Sequence, residues 1–307
     1  MKLKKVFSIV GIGTLVIASS ANAATPLINA DPISVEINQN EVLKKYNDFV
    51  SRNNSNLAAL FENEDAKNFN LDRVNEIIES YYASHKDEVE EIKKNVDFLV
   101  DAQQTTLKAS VKDKEVDLIN YIHQSKDKEG YKLITKRYVE PSSKSLIATE
   151  SNTGREVNIL LTKEGGMYIA QSNYSEPSQS AYTISPQATE YRSNRIDIEA
   201  RNALGLQQLT MYTKGEFSFE RGVKAKATYG EGDYGRTFWG SSINVTNMEF
   251  GKFYEDPESG YAEVYSKMHV DSMLGFKGLG LVLNSDTVRI HVGCSLIGAI
   301  SAGIRRN

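Results

Sequence analysis

Few residues in this chain are of types that do chemistry near neutral pH, so their spacing carries most of the information. There are four histidines, His85, His123, His269 and His291, and one cysteine, Cys294. A thiol nucleophile needs a base within hydrogen-bond reach. His291 is nearest in sequence, yet Val288, Ile290, Val292, Cys294 and Leu296 alternate as one face of a strand, with His291 and Arg289 on the other. Only His269, on another strand, could still reach Cys294. Without it, Cys294 reads as a small buried apolar residue. The histidines show no H-x-x-x-H spacing and the cysteine no C-x-x-C partner, so zinc is not expected. No G-x-S-x-G occurs, and no catalytic residue is assigned.

Two loops invite a ligand. Gly230-Glu231-Gly232-Asp233-Tyr234-Gly235 formally matches G-x-G-x-x-G, but a dinucleotide site needs a helix opening on the last glycine to receive the pyrophosphate. Arg236 to Gly240 has no helical pattern, and Glu231 and Asp233 would repel phosphate. We read Gly230–Gly240 as a loop between strands. It carries Tyr234, Phe238 and the single tryptophan, Trp239, and aromatic side chains on such a loop can form a binding platform. Tyr234, Phe238 and Trp239 are therefore the expected binding residues. The acids Glu255, Asp256 and Glu258 form a second acidic loop. Oxygen-rich loops suit calcium, but no D-x-D-x-D-G pattern is present, so no cofactor is expected.

The elements that must position these residues are strands. Leu209 to Glu220 alternates apolar and polar residues, and so do Val223 to Tyr229, Tyr261 to Val270 and Thr287 to Leu296. Ile243 to Val245 and Phe250 to Tyr254 are shorter runs of the same kind. Several half-buried strands with glycine-rich turns and no helical crossovers predict an antiparallel sandwich or barrel over residues 190–307. Met273 to Leu283 and Gly293 to Arg306 are apolar and glycine-studded. They read as closing core strands or, if exposed, as membrane-active or self-associating segments.

The front half reads differently. Val42, Leu43, Tyr46, Phe49 and Val50 form one helical stripe after an extended lead-in, broken near Asn53–Asn56 before Leu57, Leu60 and Phe61 resume. Leu71, Val74, Ile77, Ile78, Tyr81 and Tyr82 form a stronger one, with Asn70 as N-cap. Beyond Thr106 the period shifts. Val116 to His123, Tyr131 to Val139, Val157 to Leu161 and Met167 to Ala170 are strand candidates, the last two joined by a tight turn at Glu164-Gly165-Gly166. Residues 24–172 are thus expected to form an α+β module with helices on one face of a curved antiparallel sheet. This order, with its helical stripes and closing hairpin Asn158–Ala170, resembles the nuclear-transport-factor-like cone fold and the helix-then-sheet modules of some exported bacterial proteins. The resemblance implies a pocket, which Tyr81 and Tyr82 could line. Residues 173–189, rich in serine with Pro177 and Pro186, are the expected linker between the module and the sandwich.

Residues 1–23 carry the marks of a cleaved export signal: Lys2, Lys4 and Lys5, an apolar run from Val6 to Ile17, and Ala21-Asn22-Ala23. The apolar run is too short to span ~30 Å of hydrocarbon comfortably. One cysteine allows no internal disulfide, so stability must come from packed cores. With 36 Lys+Arg against 40 Asp+Glu, the chain is acidic and has no basic stripe. Nucleic acid is not an expected partner. The expectation is a secreted, non-catalytic protein that binds an extracellular protein, a carbohydrate or a cell surface. The alternatives are a toxin with a membrane-active C-terminal segment and a secreted hydrolase of unrecognised type.

Overall fold

The computed structural model describes residues 32–95, 99, 115–140, 152–176, 189–237, 243–272 and 286–302. The chain forms two units, residues 1–39 and 40–307. Of the first, only the helical backbone from Pro32 is described, and the export signal lies outside the described residues. Among the described residues no helix is long and apolar enough to cross a membrane.

Helices come first. Helix α1 spans Pro32–Asn63, α2 Leu71–Ser84 and α3 Lys86–Lys93. The helix already runs at Pro32, where an extended lead-in was expected, and it continues through Asn53–Asn56, where a break was expected, because those asparagines are contact residues. Asn53 Oδ1 accepts from the Tyr81 hydroxyl at 2.8 Å, Asn56 Nδ2 donates to Tyr81 Oη at 3.2 Å, and Asn54 Nδ2 donates to the Thr162 carbonyl at 2.8 Å. These bonds offset the poor helix propensity of asparagine. Asn70 caps α2 as expected, its side chain accepting from the Arg73 N–H at 2.8 Å.

Among the described residues eleven strands follow, all in one sheet. They are β1 Glu115–Asp117, β2 Lys132–Val139, β3 Asn152–Leu161, β4 Met167–Glu176, β5 Glu190–Arg201 and β6 Gln207–Glu220. The rest are β7 Lys224–Arg236, β8 Ile243–Asp256, β9 Tyr261–Ser272, β10 Asp286–Cys294 and β11 Ile300–Ala302. The main path runs β7-β6-β5-β4-β11-β10-β9-β8, with β3 and then β2 continuing from β4 and β1 lying parallel beside β10. The protein is α+β, helices followed by mostly antiparallel strands. It does not divide at residues 173–189, however. β4 runs into that stretch as far as Glu176, and β4 and β5 pair directly, Met167 opposite Arg201 through Ser172 opposite Ile196. Front and back halves share one sheet where an α+β module beside a separate sandwich was expected.

The residue pattern explains this continuity. On β3 and β4 both faces are buried. Val157, Ile159, Leu161, Met167 and Ile169 pack with Leu57, Phe61, Val74 and Ile78 of the helices. Leu160, Tyr168 and Ala170, on the opposite face, join a larger core with Ile196, Met211, Phe217, Phe219, Val264, Val288 and Ile290. Within that core β5–β7 pack across from β8–β10. Burying each of the fully covered Phe217 and Phe219 contributes about 1.5–3 kcal/mol. The edge strands β7 and β8 lie against each other where Gly230 meets Gly251.

Two further expectations are corrected. Residues 118–124 are a helix, α4 Leu118–Gln124, where a strand was expected. Leu118, Ile119 and Ile122 are all buried, as a helical stripe requires, and Asp117 caps the helix by accepting from the Asn120 N–H at 2.9 Å. Residues 230–236 belong to β7 and do not form a loop.

Candidate functional site

The outer face of β5, β6 and β7 carries a hydrogen-bonded ladder of charged and aromatic side chains. Strand alternation sends Ile196, Ile198, Leu209 and Met211 into the core and leaves Arg195, Asp197, Thr210 and Tyr212 on the opposite face. Arg195 holds Asp197 in a fork, with Nε to Oδ2 at 2.8 Å and Nη2 to Oδ1 at 2.6 Å. The same guanidinium lies 4.1 Å from the centroid of the Tyr212 ring. The Tyr212 hydroxyl donates to Glu231 Oε1 at 2.7 Å, and the Tyr229 hydroxyl donates to Glu231 Oε2 at 3.0 Å.

The electrostatics follow from these bonds. Two phenols donating to Glu231 hold its carboxyl below the usual range, and the carboxylate in turn pushes Tyr212 up to about 12. Glu231 is therefore an ionised acceptor and Tyr212 a neutral donor. Beside the ladder is a groove of about 360 Å3, bounded by Leu71, Arg195, Asp197, Tyr212, Asp233 and Tyr234. Beneath it Glu199 is buried and paired with Arg201 at 3.2 Å, and Asn75 of α2 bridges the two. The second helix is thereby fastened to β5, and the groove has a fixed floor.

The expected binding residues divide. Tyr234 lines this groove but is half-buried, packed against the core and stacked on Phe250 with centroids 6.0 Å apart. Phe238 and Trp239 lie outside the described residues. Tyr212, Arg195 and Asp197 were not singled out in the sequence. Their signal is the polar register of β5 and β6, which alternates as cleanly as the apolar one.

The remaining chemistry-bearing residues have local roles. Cys294 is fully buried among Val288, Ile290 and Val292, and burial pushes its thiol up to about 12. His291 lies on the other face of β10, its Nδ1 2.8 Å from Asp117 Oδ2. Across the ladder, His269 Nδ1 is 3.4 Å from Thr287 Oγ1. The thiol therefore stays protonated until far above neutral pH. We expect the native chain at pH 8 to react with a thiol reagent on the order of a hundredfold more slowly than the urea-unfolded chain. Comparable rates would show an accessible thiolate.

The G-x-G-x-x-G stretch lies inside β7, so the strand-turn-helix context of a dinucleotide site is missing. Asp256 accepts from the Glu258 and Ser259 N–H groups at 3.0 and 3.4 Å, capping the turn after β8. Among the described residues no group of three or more His, Cys, Asp or Glu is placed to hold a metal ion. His85 stacks on Tyr81 at 4.3 Å, and burial lowers the pKa of His123 on α4. Tyr81 and Tyr82 pack among the helices and the neighbouring β-turn. Residues 293–302 are built into the sheet as the end of β10, a turn and β11, and residues 273–283 lie outside the described residues.

No family model, no curated protein and no solved structure matches the chain.

Proposed function

We propose that the protein is exported and acts as a non-catalytic binding protein at a cell surface or on an extracellular protein or carbohydrate. Its contact surface is the β5–β7 face: Tyr212, Tyr229 and the groove rim at Tyr234, continued in sequence by Phe238 and Trp239. The observation that carries this reading is the ladder Asp197–Arg195–Tyr212–Glu231–Tyr229. Its members are fixed to one another and to strands, yet Tyr229 remains 44% exposed. Aromatic and arginine side chains held rigid at a surface supply contact area with little rotamer entropy left to lose. Export rests on the sequence of residues 1–23. We further read β5–β7 over β8–β10 as a sandwich within the common sheet, and the helices ahead of β2–β4 as the part resembling nuclear-transport-factor-like modules.

The test is cosedimentation of the exported chain with whole bacterial cells and with insoluble polysaccharide, run alongside dye leakage from lipid vesicles. The expected result is retention without leakage. Tyr212→Ala and Trp239→Ala each weaken retention about tenfold, the effect of losing roughly 1.4 kcal/mol of contact. Leakage would favour the toxin reading and overturn this one. Absence of retention on every surface would overturn it too.

A further inference from the structure

A second cavity lies apart from the ladder, where the sheet parts. β4 pairs with β5 as far as Ser172 opposite Ile196, then takes β11 at Ser175 opposite Ile300. Between the diverging strands is a cleft of about 460 Å3, within the size range of small-molecule sites. Its floor is a row in register across three strands: Tyr138 on β2 opposite Arg155 on β3, and Arg155 opposite Asn173 on β4. Lys67, from the turn before α2, and Arg192, on β5, complete the lining.

Charge distinguishes this cleft from the rest of an acidic protein. Among the described residues Lys67, Arg155 and Arg192 line it, against one carboxylate, Glu140. Arg155 is held by neutral groups, donating to the Phe69 carbonyl at 3.2 Å and the Lys67 carbonyl at 2.9 Å. Its position is fixed by these carbonyls, and among the described residues neither it nor Lys67 forms an ion pair. Arg192 is 3.3 Å from Glu190, but that carboxylate is also held by Arg221 at 2.5 Å. Two guanidinium groups thus share one carboxylate. Gln171 adds a donor. Its Oε1 accepts from the Leu71 N–H at 2.8 Å, which leaves its NH2 group for the cleft it lines.

A preorganised guanidinium beside a lysine selects an oxyanion. The volume exceeds what a bare oxyanion needs, and the amides of Gln171 and Asn173 with the Tyr138 ring suit hydroxyls and a C–H face. We propose that this cleft binds a single sugar unit bearing one oxyanion, either a carboxylate or a phosphate ester. The ladder on β5–β7 is not required for this site. Failure there and failure here are therefore separate outcomes.

Titration calorimetry of the expressed full chain with glucuronate, glucose 6-phosphate, glucose and inorganic phosphate tests the assignment. At least one anionic sugar binds at least about tenfold more tightly than both glucose and inorganic phosphate, and the stronger of the two names the oxyanion. Raising the salt weakens that binding, because the cleft is open to solvent. Lys67→Glu, an exposed change outside the core, weakens it about tenfold or more. Arg155→Gln does the same, but it also removes the bonds to the loop carbonyls, so Lys67→Glu is the deciding variant. Glucose bound as tightly as the anionic sugars, inorganic phosphate bound as tightly, no binding of any of the four, or an unaffected Lys67→Glu would each overturn the proposal.

Discussion

Replacing Gly251 with alanine is expected to cost about 2–5 kcal/mol of folding stability, a large part of what a domain of this kind has. Gly251 has φ +60, where an L side chain is strained by roughly 1–2 kcal/mol. Its added Cβ would also stand 2.6 Å from the Gly230 carbonyl oxygen and 2.8 Å from the Glu231 nitrogen. Those are backbone atoms of β7, fixed to β6 by the ladder through that region, so they cannot turn aside as a side chain would. Relief requires β7 and β8 to part, and overpacking of this sort costs about 1–3 kcal/mol. Gly222 supplies the control: its φ is +73, and nothing lies within 4 Å of an added Cβ. Urea titration of Gly222→Ala should show only the conformational cost. Equal losses in the two variants would mean that the close approach of β7 and β8 carries no energy.

Arg289→Met is expected to cost about 3–5 kcal/mol, the usual penalty for breaking a buried ion pair from one side. Arg289 bonds Glu263, which is wholly shielded from solvent on β9. Its guanidinium also lies 4.7 Å from the Tyr265 ring centroid, and its Nε is 3.7 Å from Glu115 Oε1 on β1. Methionine keeps much of the stem's contact with Tyr265, so the loss falls on the buried Glu263 carboxylate, which keeps His291 Nε2 at 3.9 Å but loses its guanidinium. Adding Glu263→Gln removes that charge, and the double variant should recover at least about half of the loss in thermal or urea unfolding. A double variant as unstable as the sum of the singles would show that packing of the arginine, and not charge, holds β1 and β9 to β10.

These two sites also show what the sequence could and could not reveal. Strands whose neighbours cover one face were legible: β6, β9 and β10 alternate in sequence as they do in burial. So was the turn at residues 162–166, where Gly165 takes φ +95. The end of β7 was not, because Gly230, Gly232 and Gly235 have no side chains to alternate. They are present because other groups press close: Gly251 on Gly230, Ser266 on Gly232 and Thr210 on Gly235. Glycine density there marks a crowded seam and resembles a loop in one dimension. α4 was misread because seven residues hold less than two turns of evidence, and Asp117 was not recognised as its cap. The single sheet was hidden for another reason. A serine- and proline-rich stretch signals a break in regular structure, and a hairpin connection satisfies that signal as well as a domain boundary does. The cationic cleft draws residues 67, 155 and 192 from separate elements, and the pairing of β3, β4 and β5 together with the bond from Arg155 to the turn before α2 brings them together.

The place of β11 in the sheet bears on how the chain reaches this structure. Residues 300–302 lie late in sequence but central in strand order, between β4 and β10. β1 is likewise matched to β10, Val116 opposite Val288, across most of the chain. The hairpins β3–β4, β5–β6, β6–β7 and β8–β9 can zip locally, but the strand-to-strand joint between β4 and β10 closes only when β11 arrives. Loop-closure entropy must be met before that contact rewards it, so the rate-limiting step is expected to be this late, long-range closure, on the slow side for a chain of its length. The time during which the protein is vulnerable to misassembly is set by the wait for three residues, Ile300–Ala302, to take their place between β4 and β10.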